Sequence, residues 1–323
     1  MRILPYEESQ AAPWDELAAR CTAATFLHTR RFLAYHGGRF EDASLLVADE
    51  AGRAVGLLPA AVDPSDGGRV VSHPGVTFGG LVHDGALRGD GMIEALDGIA
   101  RHYAGRGFRS LRYKAVPHIY QLAPSGDDLY ALFRLDAARY RCDLSCAIDL
   151  SARTAPSARR RRGLKKAQKS GVEVAEGEQH AAALWEVLAE NLRRKYGASP
   201  VHTLDEIRLI HSLFPEDVSF VVALVGGEVV AGVVLFSGPR VVHVQYVASG
   251  EAGYVASALD AVFEECIRRA AGRGARYFDF GTSNEDGGRR LNAGLYQFKS
   301  EFGGGGVAYE SYELGLESFA GAR

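Results

Sequence analysis

The sequence has few cysteines and no spacing that is typical of metal ligands. Only four of the 323 residues are cysteine, and no CxxC pair recurs. HExxH, DxDxDG and clusters of Cys and His are all absent from the sequence. We therefore predict no metal and no bound cofactor. Cys142 and Cys146, four residues apart in a predicted strand, are expected to be unreactive thiols in a reducing compartment.

Long hydrophobic runs and an excess of one charge are also missing. No apolar run approaches the roughly 20 residues that span a bilayer, and the first residues do not read as a signal peptide. We therefore predict a cytoplasmic protein with no membrane span. The net charge of −3 gives no general attraction to nucleic acid. We expect no DNA partner, and any RNA partner must bind a local cationic patch.

The length and the order of predicted elements indicate two similar domains. A single core rarely grows past roughly 250 to 300 residues. Each half reads as helix, strand hairpin, third strand, helix and strand. Residues 91–114 and 254–280 both contain a helix, the motif Ala-Gly-Arg-Gly and then a strand. We predict a first domain at 1–150, completed by a C-terminal strand at about 311–323, and a second at 151–310.

A dense cationic helix opens the second half. Residues 159–169 contain seven basic and no acidic side chains. Wound on a helix, they would cover most of its circumference and could release phosphate counterions on binding RNA or a nucleotide. The alternative is a solvated helix face at a domain boundary. The predicted tRNA- or phosphate-binding residues are Arg159, Arg160, Arg161, Arg162, Lys165 and Lys166.

The first half contains a glycine-rich segment, SHPGVTFGGLVHD, at residues 72–84. Its glycines either let the backbone approach a ligand or make turns. Its histidines either exchange protons near neutral pH or are structural. A second candidate is the loop that follows a predicted strand ending at Lys114, because such loops often line sites. The substrate-binding residues predicted here are Thr77, Phe78, Gly79, Lys114 and Tyr120.

The C-terminal segment FDFGTSNEDGGRRLNAGLYQFKSEFGGGG, residues 278–306, places one cation in apolar surroundings. It lacks the GxxxxGK[ST] of a P-loop, which excludes a phosphate cradle of that kind. Lys299 lies between Phe298 and Phe302, where a lysine either extends to water or stabilises an oxyanion in a partly dry site. Lys299 is the catalytic candidate, with His73 or Asp279 as proton acceptor, and further substrate-binding candidates are Tyr246 and Ser283.

Three motifs together resemble the Fem family of aminoacyl-tRNA-dependent ligases. They are RRRxLKKAQKxGVxV at 160–174, the FDFG strand, and LYQFKSEFG at 295–303. The resemblance implies an α/β (α+β) fold of two tandem GNAT-like domains, each with a mixed, mostly antiparallel sheet flanked by helices. It also implies that an acceptor amine attacks an activated acyl ester without a covalent enzyme intermediate.

The resemblance assigns roles to individual residues. The family's Phe-Lys pair matches Phe298 and Lys299, whose ammonium would stabilise charge on the acyl ester or tetrahedral intermediate. The family's arginine for the acceptor phosphate matches Arg194, with Arg193 as an alternative. Its first-domain lysine has no counterpart near His36, which disfavours a UDP-linked cell-wall precursor as acceptor.

Three functions are compatible with these features. The leading hypothesis is transfer of an aminoacyl group from charged tRNA to an amine of a small-molecule or cell-wall-precursor acceptor. The alternative is an acyl-CoA-dependent GNAT N-acyltransferase. However, the segment VASGEAGYVASALDA lacks the Gln or Arg that leads the CoA-binding turn Q/R-x-x-G-x-G/A. The third is a non-catalytic GNAT-like binding module, which the Phe298–Lys299 pair disfavours.

Overall fold

The computed structural model describes residues 1–321, apart from the side chains of residues 195 and 196. The end of the predicted C-terminal strand range therefore lies outside the described residues. The chain divides into two compact units. The first unit comprises Met1–Leu144, Asn284–Arg290 and Ala308–Arg323, and the second comprises Ser145–Ser283 and Leu291–Val307.

Strands form where the sequence contains short runs rich in Val, Leu and aromatic residues. In chain order they are β1 Arg2–Pro5, β2 Leu45–Ala48, β3 Ala54–Leu58, β4 Ala61–Asp63, β5 Asp66–Val71, β6 Val82–His83, β7 Ser110–Lys114, β8 Ala138–Asp149, β9 Glu173–Glu176, β10 Val218–Val225, β11 Glu228–Ser237, β12 Val241–Ser249, β13 Tyr277–Thr282, β14 Asn284–Glu285, β15 Arg290–Leu291 and β16 Gly305–Gly315.

Helices form where apolar residues recur at spacings of three and four. In chain order they are α1 Ala11–Arg20, α2 Arg30–Leu33, α3 Asp90–Gly105, α4 Asp127–Arg134, α5 Ala158–Lys169, α6 Ala181–Tyr196, α7 Leu204–Leu213, α8 Glu251–Ala256, α9 Ala258–Gly272 and α10 Ala293–Ser300. Among the helices of residues 1–321, none is long and apolar enough to cross a membrane.

The first unit contains two sets of hydrogen-bonded strands. One has the order β1-β2-β3-β6 and is antiparallel, and the other has the order β4-β5-β7-β16. In the second set β5 and β7 are parallel, and α3 provides the long connection that parallel neighbours require. Leu96, Ile99 and Tyr103 of α3 lie on one helix face and pack into a buried core with Val47 and Tyr113.

The second unit contains strands in the order β8-β13-β12-β11-β10-β9, with β8 contributing its residues from Ser145 onward. Strands β9 to β12 pair antiparallel. β12 and β13 are parallel, and the connection between them contains α8 and α9. Val262, Phe263 and Ile267 of α9 pack with Phe278 of β13 and Phe302 into the core of this unit.

The predicted repeat is visible in both units. In each one, a helix connects two parallel strands, through α3 in the first unit and α8 with α9 in the second. Helices α3 and α9 each end within an Ala-Gly-Arg-Gly motif. The last glycine of the motif, Gly107 after α3 and Gly274 after α9, has a positive φ. The predicted mixed α/β class, with antiparallel strands predominating, is therefore confirmed.

Strands β12 and β13 diverge soon after they meet. Their last paired residues are His243 and Asp279, although both strands continue beyond this point. A shift in the β11–β12 register leaves Gln245 as a bulge, and bulges bend and twist a strand. On β13, Gly281 has a φ of +75°, a left-handed conformation that favours glycine. We call the region where the two strands separate the fork.

Gly303 fixes the exit of the chain from α10, and we predict that Gly303→Ala destabilises the protein. The residue has a φ of +100°, and a Cβ built on it would lie 2.1 Å from the Thr154 carbonyl oxygen. Strain of this kind costs on the order of 2 kcal/mol or more. The measurement is the free energy of unfolding from urea denaturation.

Gly305→Ala is the matched control, because no atom lies within 4 Å of the added Cβ and the φ of Gly305 is not in the left-handed region. We expect the control to change the free energy of unfolding by less than about 1 kcal/mol. Equal destabilisation by the two variants would contradict the role assigned to Gly303.

Candidate functional site

Lys299 lies in the last turn of α10 and extends into the fork. The helix begins at the Asn292 cap, whose side-chain oxygen accepts a hydrogen bond from the Leu295 N–H at 3.0 Å. Lys299 is only 7% exposed. Its Nζ donates to the carbonyl oxygens of Gly281 at 2.9 Å and Thr282 at 2.7 Å. The ammonium group is thus fixed by neutral oxygens at the end of β13.

Burial lowers the pKa of Lys299 to about 8, while Asp279 and Cys146 act in the opposite direction. Desolvation disfavours the charged form of a lysine, and a neighbouring negative charge favours it. With a pKa of about 8 the side chain is still mostly protonated at neutral pH. A cation in a largely dry site interacts strongly with any negative charge that develops beside it.

Asp279 is completely buried and accepts several hydrogen bonds. Oδ1 accepts from Ser145 Oγ at 2.5 Å and from the Gly281 N–H at 3.1 Å. Oδ2 lies 2.8 Å from Nδ1 of His243. The sequence predicted Asp279 as a proton acceptor for the substrate amine. The structure disfavours this role, because the carboxylate is inaccessible and both oxygens already accept protein donors.

Sequence reasoning missed His243. It is the residue of β12 that lies directly opposite Asp279 in the parallel register, and its side chain is 12% exposed. The segment VVHVQYVAS alternates apolar and polar residues, so the sequence indicates a strand with His243 on its polar face. Only the register of β12 against β13 identifies the partner of the imidazole.

Two other predicted residues lie beyond the fork in the second unit. The Ser283 hydroxyl is buried and has no hydrogen-bond partner in the part of the chain that the structure describes. Tyr246 hydrogen-bonds His202 through its hydroxyl, which accepts from the His202 N–H at 3.2 Å. Burial raises the pKa of Tyr246 to about 12. Ser283 thus offers an unused hydroxyl, whereas Tyr246 supports the segment that precedes α7.

The cationic segment forms α5, but it does not present all its charges to solvent. Arg160 is only 8% exposed and forms ion pairs with Asp260 at 3.0 Å and Glu301 at 3.1 Å. Its guanidinium also lies over the rings of Phe298 and Phe302, at 4.7 and 5.4 Å. These contacts disfavour Arg160 as a ligand for tRNA or phosphate, because its charge is already neutralised inside the unit, and this assignment stays a prediction.

The other predicted cations of α5 are exposed. Arg159 is 65% exposed in its side chain. The exposed set is Arg159, Arg161, Arg162, Lys165 and Lys166. The helix packs through its opposite face, which includes Ala167 and Gly163. At Gly163 the chain approaches the Asp260 carboxylate so closely that an added Cβ would lie 2.5 Å from its carbon.

A pocket of about 460 Å³ lies where α5 packs against the turn between β12 and α9. Its lining includes the cations Arg159, Arg160, Arg162 and Lys166, together with Gly253 of α8 and Phe298. Burial raises the pKa of Asp260, which also lines the pocket, to about 6, against the opposing effect of Arg160 and Arg159. The pocket thus combines exposed positive charge with a residue adjacent to Lys299.

The first unit places His73 away from water. His73 is buried and stacks on His36, with ring centroids 5.1 Å apart. Burial, the His36 ring and Lys114 lower the pKa of His73 to about 3. A group with such a pKa is a weak base at neutral pH, so the structure disfavours His73 as the proton acceptor predicted from the sequence.

Most of the predicted substrate-binding residues of the first unit have packing roles. Phe78 and Tyr120 are buried with ring centroids 4.5 Å apart. A Cβ on Gly79 would lie 2.0 Å from the Ser72 carbonyl oxygen, so this glycine permits close packing of two backbone segments. Lys114 Nζ donates to the His73 carbonyl at 2.9 Å and also to that of Val76.

Thr77 is exposed on the same segment, and Arg194 is exposed on α6 in the second unit. Both stay predictions as substrate-binding residues. The first unit also has a pocket of about 670 Å³, lined in part by Tyr6, Arg30 and Asp42. Across the described ranges, no group of three or more His, Cys, Asp or Glu residues could hold a metal ion.

Comparisons with known proteins identify the fold. Residues 156–299 match the family described as an acetyltransferase (GNAT) domain. The solved structure of FemX has a TM-score of 0.70 at 11% identity, with 98% of each chain covered. L-PGS from Bacillus licheniformis has a TM-score of 0.62 at 13% identity, over 95% of this chain and 91% of that one.

A tandem GNAT protein from the clavulanic acid biosynthesis pathway has a TM-score of 0.51 at 11% identity, with 98% of each chain covered. No curated protein matches the chain in sequence. Identities this low show a shared fold, which is the tandem GNAT fold. The resemblance to Fem proteins is confirmed at that level, and the matched domain identifies the chain as an acyltransferase.

We predict that Asp279→Asn lowers the pKa of Lys299 below its value of about 8. The carboxylate favours the charged form of Lys299 and so raises its pKa. Without the carboxylate, the effect of burial, which lowers this pKa, is opposed less strongly. The measurement is a ¹³C NMR titration of the Lys299 side chain. Asp149→Asn, which removes a carboxylate ion-paired with Arg276, is the control and should leave the pKa unchanged. An unchanged pKa in Asp279→Asn would show that the two groups do not interact.

Proposed function

We propose that this acyltransferase, whose residues 156–299 match a GNAT domain, transfers an aminoacyl group from charged tRNA to an amine of a small-molecule or cell-wall-precursor acceptor. The observation that carries the proposal is the second-unit pocket. Its lining combines exposed cations of α5 with Phe298, the residue before Lys299. Positive charge for a polyanionic donor thus lies beside the helix that contains the buried ammonium.

The exposed face of α5 suits an RNA backbone better than a single small anion. Five exposed cations within eight residues extend along the helix outside the pocket as well as into it. Each phosphate contact releases counterions, so such a face gives strong and salt-dependent binding. The likeness of the fold to FemX supports a donor of this class.

Lys299 supplies the electrostatic part of the proposed reaction. When an amine attacks an ester carbonyl, negative charge develops on the carbonyl oxygen. A desolvated ammonium group, already fixed by two carbonyl oxygens, needs little reorganisation to stabilise that charge. The ester of aminoacyl-tRNA is activated, so the remaining acceleration comes from alignment of the amine with the carbonyl carbon.

An acyl-CoA donor is the second candidate. The pocket adjoins the backbone turn ahead of α9 and could hold a pyrophosphate on Arg159, Arg162 and Lys166. The tandem GNAT protein of the clavulanic acid pathway, which has a TM-score of 0.51, is described as solved without AcCoA, so its structure shows the fold and no bound donor. The two donors differ in length and charge, so binding experiments separate them.

We predict that the triple variant Arg159→Ala, Arg162→Ala, Lys166→Ala weakens tRNA binding at least tenfold near 100 mM salt. Loss of three phosphate contacts should also reduce the slope of log K against log salt by roughly 2 to 3. The measurement is fluorescence anisotropy of labelled charged tRNA across a salt series.

The charge-matched control is Arg208→Ala, Arg268→Ala, Arg273→Ala, which removes three surface cations of the second unit from other helices and turns. It should bind tRNA within about twofold of the unchanged protein. Equal losses in both triple variants would indicate a general charge effect. Tight acetyl-CoA binding with no tRNA binding would replace the proposed donor by acyl-CoA.

We predict that Lys299→Met lowers the rate of acyl transfer by roughly 10² to 10³, because one preorganised stabiliser of an oxyanion is lost. The pH profile gives an independent test. If the ammonium form is required, the rate should decline as pH rises through about 8, the pKa of Lys299.

The measurement is single-turnover transfer, with the fold of the variant checked by circular dichroism. Lys299→Arg keeps its charge at high pH, so any residual activity of this variant should lack the alkaline decline. A Lys299→Met variant that folds and reacts at the unchanged rate would remove Lys299 from the mechanism.

A further inference from the structure

The imidazole of His243 has a defined orientation at the fork. Its Nδ1 lies 2.8 Å from Oδ2 of Asp279. The carboxylate is itself fixed by Ser145 Oγ and the Gly281 N–H. Three protein donors thus converge on one buried carboxylate. Of these three donors, the His243 imidazole is the group that reaches the surface of the fork. Its side chain is 12% exposed, whereas that of Asp279 is fully buried.

The carboxylate selects one tautomer of the neutral ring. An ionised carboxylate only accepts hydrogen bonds, so the facing nitrogen must carry the proton. Nδ1–H therefore donates to Asp279, and the lone pair of the neutral imidazole is on Nε2. A histidine arranged in this way can accept a proton at Nε2, and the carboxylate stabilises the imidazolium that forms.

The Cε1–Nε2 edge of the imidazole lies next to Gly281. A Cβ built on Gly281 would lie 3.4 Å from Cε1 and 3.9 Å from Nε2 of His243, which is van der Waals contact. The carbonyl of the same glycine accepts a hydrogen bond from Lys299 Nζ. The imidazole and the ammonium group are therefore both neighbours of one residue without a side chain.

We propose that His243 is the general base for the acceptor amine and that Asp279 is its positioning residue. This inference rests on the proposed acyl transfer to an amine, although not on which donor supplies the acyl group. As the amine nitrogen forms its bond to the carbonyl carbon, Nε2 takes the proton of the amine. The ester bond to the donor then breaks, and the imidazolium returns the proton to the leaving oxygen, or sulfur for a thioester.

The other groups around the ring fit this assignment. On β11 the residue opposite His243 is Phe236, which is apolar. The titratable groups at the fork are Asp279, Lys299 and Cys146, and burial raises the pKa of the Cys146 thiol to about 12. Cys146 is therefore neutral at physiological pH. Lys299 supplies a positive charge, which leaves the His243 imidazole as the proton acceptor.

The first test needs no substrate. We expect ¹⁵N NMR of the intact protein to show neutral His243 with its proton on Nδ1. Asp279→Ala should shift the ring towards the Nε2–H form, because the acceptor for Nδ1–H is lost. A neutral His243 with its proton on Nε2 in the unchanged protein would overturn the inference.

The second test is the pH dependence of transfer to ethanolamine, with charged tRNA and acetyl-CoA as separate donors. The rate of the unchanged protein should rise with pH on the acid side, with the same midpoint as the His243 titration seen by NMR. His243→Gln should lower the rate by roughly 10² or more and abolish this acid limb. The control is His211→Gln, which replaces a histidine on α7 that hydrogen-bonds the Val218 carbonyl. It should leave the rate and the acid limb unchanged.

The outcomes separate the two proposals. Transfer from acetyl-CoA alone would overturn the proposal that tRNA is the donor. The role of His243 would then be tested by the pH dependence of transfer from acetyl-CoA. An acid limb that persists in His243→Gln at the same midpoint would overturn the role of His243, while transfer by the unchanged protein still supports the proposed function. If neither donor reacts, the proposed function fails. The tautomer of His243 seen by NMR then shows whether its Nδ1–H donates to Asp279, as the inference requires.

Discussion

The short pairing of β12 with β13 is the constraint on which the candidate site depends. Parallel strands that paired along their whole length would satisfy their own backbone groups and leave no space for a side chain from elsewhere. Because pairing ends at His243 and Asp279, the carbonyls of Gly281 and Thr282 are available to accept from Lys299. The bulge at Gln245 and the left-handed Gly281 provide the backbone geometry for this separation.

Arg160 and Lys299, the two buried cations among the described side chains of the second unit, have different kinds of partner. Arg160 is paired with two carboxylates and stacked on two aromatic rings, so it joins α5 to α9 and to the end of α10. Lys299 has neutral carbonyl partners, and burial lowers its pKa to about 8. A charge held in this way costs free energy of folding, and such a cost is typical of residues retained for chemistry.

The sequence predicted the larger features of the fold because they depend on local patterns. The helix-then-strand repeat, the cationic helix and the last strand all follow from periodicity and from the glycines that end elements. The short edge strands β1 and β9 were not predicted, because four-residue runs give little periodic signal. Helix α7 was also missed, although the capping box formed by Thr203 and Glu206 marks its start.

The candidate site was harder to predict, because its contacts join distant parts of the chain. Lys299 was identified from its apolar neighbours, and the family resemblance pointed to the same residue. No local pattern pairs His243 with Asp279, since the register of two strands separated by two helices decides that contact. The burial of Arg160 could not be predicted for a related reason. Four consecutive arginines look alike in sequence, and only packing against α9 shows which one is turned inward.

Under the proposed function, the position of Arg160 would link donor binding to the chemistry within one unit. The guanidinium lies over Phe298, which lines the cationic pocket, and it pairs with Glu301 at the end of α10. Phe298 and Glu301 flank Lys299 in the sequence. A phosphate bound by Arg159, Arg162 and Lys166 would therefore contact the side of α5 next to the arginine that positions α10. The cationic run thus combines an exposed cationic face with one inward residue, Arg160, that fixes the helix of Lys299.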